Sequence, residues 1–292
     1  MTAPLPVIVN RHGGTASKEG ASVGETLTAA FAKAGRAIEL ELIEGDELAA
    51  TLARHADAPR VVVGGGDGTL GTAAQALMAS GSELAVLPLG TRNHFARQLN
   101  VPLDLDAAAG LAATGAAYAV DVGEAGNRVF LNNASLGAYV ELVRKRDASG
   151  LPKLLGSLVA GADVLRRLRP RRYALALDGV SQSIETVQLL IGNDRYEVDE
   201  GKPGERRSLH DGLLSVFAPA PLTRLGLLRA AYRLARGKPD MKLDFAIDAD
   251  VRELRIEGEG AIGIALDGEE TSLTLPLVLR SRPDALKVVA PR

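Results

Sequence analysis

A chain of 292 residues is long enough for two ordinary domains, each with its own core, and 46% hydrophobic against 24% charged residues is a globular composition, not a disordered one. The 34 Lys and Arg are balanced by 36 Asp and Glu and aromatics reach only 3%, which excludes a basic footprint or a base-stacking platform for nucleic acid. There is no Cys, and with it go disulfides, thiolate metal sites and Cys nucleophiles.

The segment MTAPLPVIVNRHGG has no basic leader and too short an apolar run for a signal peptide. The longest mostly apolar stretch, 154–165, contains Asp163 and is too short to span a bilayer. A soluble, cytoplasmic protein is therefore expected, with peripheral contact to the inner face of the membrane left open. In chain order the pattern predicts a buried strand over 5–10, a helix over 18–33, a strand over 38–43 and a short helix over 47–54. A third strand starts at Arg60, followed by a helix over 69–78, a strand over 83–89 and helical pieces over 93–99 and 105–113. Strands separated by helices predict a parallel sheet flanked by helices, an α/β domain over 1–117.

From Tyr118 onward strand-like segments and Asp-Gly or Gly-Asn turns dominate: AYAVDVG, NRVFLNNASLG, RYALALDG, IETVQLLIGN, LLSVFAPA, LRIEG and IGIALDGEETSLTL. Helical stretches interrupt them over 152–168 and 222–236. The expectation for 118–292 is a mainly β, sandwich-like domain, with 286–290 able to return to either domain.

The third strand runs into Gly64-Gly65-Gly66-Asp67-Gly68-Thr69, which opens a helix. Successive glycines let backbone N–H groups converge, and a helix N-terminus adds partial positive charge, so the turn suits a phosphate. The plainer reading is a tight turn with no ligand. Gly66, Gly68 and Gly71 match the dinucleotide spacing, yet the motif follows the third strand, and Thr91 and Arg92 stand where a ribose-binding acid belongs. The Gly-Lys pairs at 201–202 and 237–238 precede Pro, so neither is a P-loop.

VVVGGGDGTLGTAAQAL, LAVLPLGTRNHFARQLNVP, LHDGLLSVF, ALDGEE and FLNNASLG after DVG together resemble the catalytic chains of the diacylglycerol kinase and sphingosine kinase superfamily, the bacterial lipid kinases above all. The resemblance extends over nearly the whole chain. It implies ATP and Mg²⁺ as cofactors, an active site in the cleft between the two domains, and a lipid alcohol such as diacylglycerol as acceptor. It implies nucleotide contacts from Asn10, Gly64, Gly65, Gly66, Asp67, Gly68, Thr69 and Thr91. Asp67 resembles the aspartate that organises the phosphate region; the plainer reading is a helix cap. Glu269 resembles the general base, although Asp267-Gly268 between alternating apolar residues is by itself a hairpin signal. Mg²⁺ is implied at Asp211, with backbone oxygens at Ser208 and Leu213.

Three segments depart from the family pattern. Arg11 replaces a Pro, Gly71-Thr72 replaces Asn-Glu, and Gly90-Thr91-Arg92-Asn93-His94 ends in His where the family has Asp. The resemblance implies that Asn93, His94 and Asp121 belong to the polar network of the active site. The histidines at 12, 55, 94 and 210 show no zinc spacing.

Leu154, Leu155, Leu158, Ala162 and Leu165 form a helical stripe that ends in Arg166, Arg167, Arg169, Arg171 and Arg172. Leu225, Leu228 and Tyr232 form another among Arg224, Arg229, Arg233 and Arg236. These patterns fit either a helix on an anionic lipid surface or one packed on the core with solvated arginines. The expected partner is a lipid substrate at a membrane surface, with no nucleic acid; a homodimer is left open. An NAD kinase-like enzyme and a non-catalytic nucleotide- or lipid-binding regulator remain as alternatives.

Overall fold

The computed structural model describes residues 3–11, 22–138, 140, 169–196, 206, 208–220, 222–236 and 238–291. The expected helix over 152–168 lies outside them. The chain divides into two units, Met1–Val122 with Asp284–Arg292, and Gly123–Pro283.

In the first unit β1 (Leu5–Asn10), β2 (Ile38–Ile43), β3 (Arg60–Gly65) and β4 (Glu83–Pro88) form a parallel sheet in the order β2-β1-β3-β4. Val7, Ile8 and Val9 of β1 and Val61, Val62 and Val63 of β3 are all fully buried. Successive strand residues face opposite ways, so both faces of the sheet are covered. The cover comes from α1 (Ser22–Lys33) packed with α5 (Leu105–Thr114), and from α2 (Leu48–Arg54) packed with α3 (Asp67–Ser80). A 3₁₀ turn, Gly45–Glu47, precedes α2, and α4 (His94–Gln98) follows β4. Asp104 caps α5 by accepting from the Ala107 N–H at 2.9 Å.

The second unit is an antiparallel sandwich. One sheet runs β12 (Phe245–Val251), β11 (Leu214–Pro219), β10 (Gln188–Asn193), β7 (Asn133–Gly137), β14 (Ala261–Leu266), β15 (Glu269–Thr274). The other pairs β16 (Leu277–Val289) with β13 (Glu253–Ile256), then β8 (Arg171–Leu177) and β9 (Val180–Thr186). Alternate residues of the two sheets meet in one core, Leu175, Leu254 and Leu279 from one side and Leu189, Leu214 and Ile264 from the other. A hairpin of β5 (Ala117–Ala125) and β6 (Arg128–Phe130) adds to β16.

Several elements differ from the sequence reading. α3 starts at Asp67, two residues before the expected helix, because Gly66 is its N-cap. β12, FAIDADV, was not anticipated: Ala and Asp are poor strand formers, and pairing with β11 overrides them. β16 runs unbroken through Pro283 for 13 residues where charges at Arg280, Arg282 and Asp284 obscured the pattern. Its end returns to the first unit, where Val288 and Val289 pair parallel with Leu84 and Ala85 of β4. Two helices complete the second unit, α6 (Arg224–Ala235), slightly shorter than expected, and α7 (Met241–Asp244).

Candidate active site

The order β2-β1-β3-β4 places a topological switch between β1 and β3, since the chain leaves β1 to one side and later returns on the other. Ligands of open α/β sheets bind outside the carboxyl ends of the strands at that point. The glycine-rich turn emerges there from β3. Gly66 caps α3 in extended conformation (φ −93, ψ −178) and supplies no side chain, so the first N–H groups of the helix have no capping side chain from it. A 14-residue helix also brings partial positive charge to this end.

Neighbouring loops are tied to the turn by side chains. The Asn10 amide at the end of β1 donates to the Thr69 hydroxyl at 3.2 Å. Gly45, after β2, lies so close that a Cβ there would come within 3.3 Å of the same Asn10 amide. From the other side, both carboxylate oxygens of Asp67 accept backbone N–H groups, from His94 at 3.2 Å and Phe95 at 2.9 Å. Asp67 thus caps the start of α4 across space, not its own helix, and fixes the loop after β4 against the glycine turn.

That loop is shaped by Asn93, buried and left-handed at φ 52. Its side chain accepts from Gly90 N–H (2.8 Å) and donates to the Pro88 and Gly90 carbonyls (3.0 Å each). Thr91, Arg92 and His94 are exposed on it. The His in place of the family's Asp contributes its backbone N–H to Asp67, a bond that any residue there could make. Asp121 is buried and accepts from the Asp284 N–H at 2.9 Å, where β16 re-enters the unit.

A cavity of about 500 Å³ lies between the end of β2 and α2, lined by Arg11, Ile43, Glu44, Glu47, Thr51 and Arg54 among others. Sequence reading passed over it, although the Glu44-to-Glu47 capping box, with Glu44 N–H to Glu47 at 2.9 Å, marks the start of the 3₁₀ turn. On its β2 wall the His55 hydrogen bond holds the Glu41 carboxyl below its ordinary value; Arg54 adds to this and burial opposes it.

In the second unit Leu266 pairs with Glu269, and Asp267 and Gly268 form the two-residue turn between β14 and β15 with φ of 49 and 86. This is the primed turn that Asp-Gly favours. The Asp267 carboxylate accepts from three consecutive backbone N–H groups, Leu131 (2.8 Å), Asn132 (2.7 Å) and Asn133 (3.1 Å). Glu269 stands exposed two residues beyond this anchor. Beneath the 131–133 segment Arg206 donates to the Leu131 and Asn193 carbonyls (2.8 and 2.9 Å), and the Tyr196 hydroxyl to Asn132 O (2.9 Å). The side chains of Arg206 and Asp194, 3.9 Å apart, are both wholly buried. Burial raises the Tyr196 phenol above its ordinary value, with Arg206 working the other way. No periodicity marks these residues, and sequence reading missed them.

Ser208, Asp211 and Leu213 lie on one short loop before β11. One Asp211 oxygen accepts from Arg195 N–H (3.2 Å) while its own N–H donates to Asp194 (3.1 Å). Asp194 N–H in turn donates to the Leu213 carbonyl (2.9 Å), and His210 N–H to the Ser208 hydroxyl (3.0 Å). A carboxylate and neutral oxygens on a pinned loop form the kind of oxygen-only donor set that Mg²⁺ takes, so these residues fit such an ion.

Residues 4–125 match the diacylglycerol kinase catalytic domain, and residues 138–290 match the YegS C-terminal NAD kinase beta sandwich-like domain. A "Probable lipid kinase YegS-like" protein of Pseudomonas syringae pv. tomato is 34% identical over 79% of this chain and 75% of its own length. Its namesake in Pseudomonas aeruginosa is 30% identical over 90% and 87%. A crystal structure of a diacylglycerol kinase from Bacillus anthracis superposes with a TM-score of 0.70 at 21% identity, over 100% of this chain and 98% of that one. The fold is thus that of the diacylglycerol kinases, and the enzyme class is a phosphotransferase with an alcohol group as acceptor. The chain belongs to the YegS-like lipid kinase family.

Proposed function

We propose that the protein transfers the γ-phosphate of ATP to the hydroxyl of a diacylglycerol-like lipid, as a peripheral protein on the cytoplasmic side of a membrane. The observation that carries this reading is the convergence of Asn10, Thr69, Asp67 and the Asn93 loop at the β1/β3 switch point. Phosphoryl transfer asks a protein for positioning and charge neutralisation more than for covalent chemistry. The backbone of Gly64, Gly65, Gly66, Gly68 and Thr69 holds the phosphates against the start of α3, with Asn10 and Thr91 beside them. Asp67 keeps the two loops in register. Ser208, Asp211 and Leu213 would hold Mg²⁺, which when bound neutralises negative charge.

Glu269 removes the proton of the lipid hydroxyl as its oxygen bonds to the γ-phosphorus, and ADP leaves with the electrons of the broken P–O bond. The Asp267 anchor fixes the hairpin that carries Glu269, and an exposed carboxylate can accept a proton from an incoming alcohol. Replacing Glu269 with Gln keeps size and hydrogen bonding and removes the proton acceptor. At saturating ATP and lipid the rate of Glu269→Gln is expected to fall about 10²- to 10⁴-fold with ATP affinity unchanged. A wild-type rate would remove Glu269 from the mechanism. Labelled ATP with a total lipid extract identifies the acceptor, and absence of any labelled lipid would favour a nucleotide-binding regulator instead.

A further inference from the structure

We infer that α6 and α7 form a docking surface for anionic phospholipid bilayers. Of the eight large hydrophobic residues exposed among the described residues, five belong to this one segment: Leu222, Leu225, Leu228, Tyr232 and Leu243. At 3.6 residues per turn Leu225, Leu228 and Tyr232 fall within an arc of roughly 60°. Each is more than half exposed (58%, 53% and 60%). Leu227 and Leu234, on the opposite side of α6, are partly covered, so the helix rests on the protein by that side and turns a second apolar face outward.

The charge along α6 itself is of one sign. Arg224, Arg229, Arg233, Arg236 and Lys238 fall between Leu222 and Lys238 with no acid among them, although the whole chain carries a net charge of −2. Arg236 lies over the Tyr232 ring, 5.3 Å from its centroid, which leaves ring and guanidinium together at the surface. Arg233 pairs with Asp244 (Nε to Oδ2 2.9 Å), so α7 and its Leu243, 63% exposed, are held beside α6. An apolar stripe bordered by arginines matches the boundary between acyl chains and phosphate headgroups. No described helix is long and apolar enough to cross a membrane, so contact would lie in the interface plane.

The test uses the full chain without nucleotide, so it stands or falls apart from the kinase reading. Wild-type protein is expected to sediment with phosphatidylcholine–phosphatidylglycerol vesicles, weakly with phosphatidylcholine alone, and to be released by salt. Arg229→Gln with Arg236→Gln is expected to lower partitioning about 30-fold, and Leu225→Ser with Leu228→Ser to lower it at all salt concentrations. The chain has no Trp, so Leu228→Trp installs a single reporter. Its emission is expected to shift to the blue on anionic vesicles, while Val180→Trp, at the exposed β8–β9 turn, does not shift. Unchanged melting of the variants shows that they fold. Equal binding to both vesicle types, no binding, or wild-type binding by the folded variants would overturn the inference. So would a blue shift of Leu228→Trp in buffer that grows with protein concentration, which would mean that a second copy covers the face.

Discussion

Two glycines of the candidate site answer different demands. A Cβ on Gly90 would sit 2.4 Å from the Gly66 Cα and 2.7 Å from Asn93 Oδ1, so packing alone requires glycine there. A Cβ on Gly66 would meet only the Gly90 Cα, at an ordinary 3.6 Å, and its φ of −93 suits any residue. Neither strain nor crowding accounts for Gly66, whereas the proposed close approach of a phosphate to its backbone would. Gly66→Ala is therefore expected to melt like the wild type and to bind ATP at least ten times more weakly by calorimetry, about a 1.4 kcal/mol loss. Gly90→Ala should cost about 1–3 kcal/mol of stability, from overpacking. Unchanged ATP affinity in a folded Gly66→Ala protein would remove the glycine turn from the phosphate site. Asp67 was legible as a residue of this site, but not the bonds it makes: helix-capping logic points to its own helix, whereas its partners are 27 and 28 positions downstream.

At the scale of elements, short-range signals read well and long-range ones did not. Asp267-Gly268 announced its hairpin because a two-residue primed turn is a local property. That Asp267 also ties down the 131–133 segment could not be read, since those partners lie some 135 residues away. The apolar stripe of α6 was legible, but its orientation was not, because inward and outward stripes have the same periodicity. Short α7 carries no such period; it is capped by Asp240 and tied to α6 by the Arg233–Asp244 ion pair. Its Asp244 carboxyl is held below the ordinary value first by the Arg233 hydrogen bond, against burial, with the Asp240 N–H and the Arg233 charge adding. A lowered folded-state value means the stabilisation is complete above the unfolded value of about 3.9 and is lost as pH falls through the folded one. Asp244→Asn should weaken α7 docking by about 2 kcal/mol near neutral pH, read as roughly 30-fold faster amide exchange over 241–244. The gap between wild type and variant should close as pH drops below about 4. A gap independent of pH would show that the charge of Asp244 is not what holds α7.

At the scale of the molecule, the first unit is built from two stretches of chain far apart in sequence. It ends at Val122 and resumes at Asp284, and the returning segment is not decoration. Leu286, Val288, Val289 and Ala290 are almost wholly buried, and Val288 and Val289 complete the sheet beside β4. Three large aliphatic side chains at about 2 kcal/mol each amount to roughly 6 kcal/mol of burial. That is comparable to the whole stability of an ordinary domain, about 5–15 kcal/mol. A fragment of residues 1–122 alone should therefore be largely unfolded, with neither a cooperative melt nor ATP affinity. Joining Val122 to Asp284 by a short Gly-Ser linker and continuing to 292 should restore both. The Asp284 N–H already lies 2.9 Å from an Asp121 carboxylate oxygen, so the linker has little distance to bridge. A linked fragment that folds but does not bind ATP would place the nucleotide contacts outside this unit. If instead residues 1–122 melt as cooperatively as the linked form, the closing strand adds nothing to the fold of the first unit. Otherwise the first unit cannot form until residues 284–290 have been made, and the sandwich is an insertion between Val122 and Asp284.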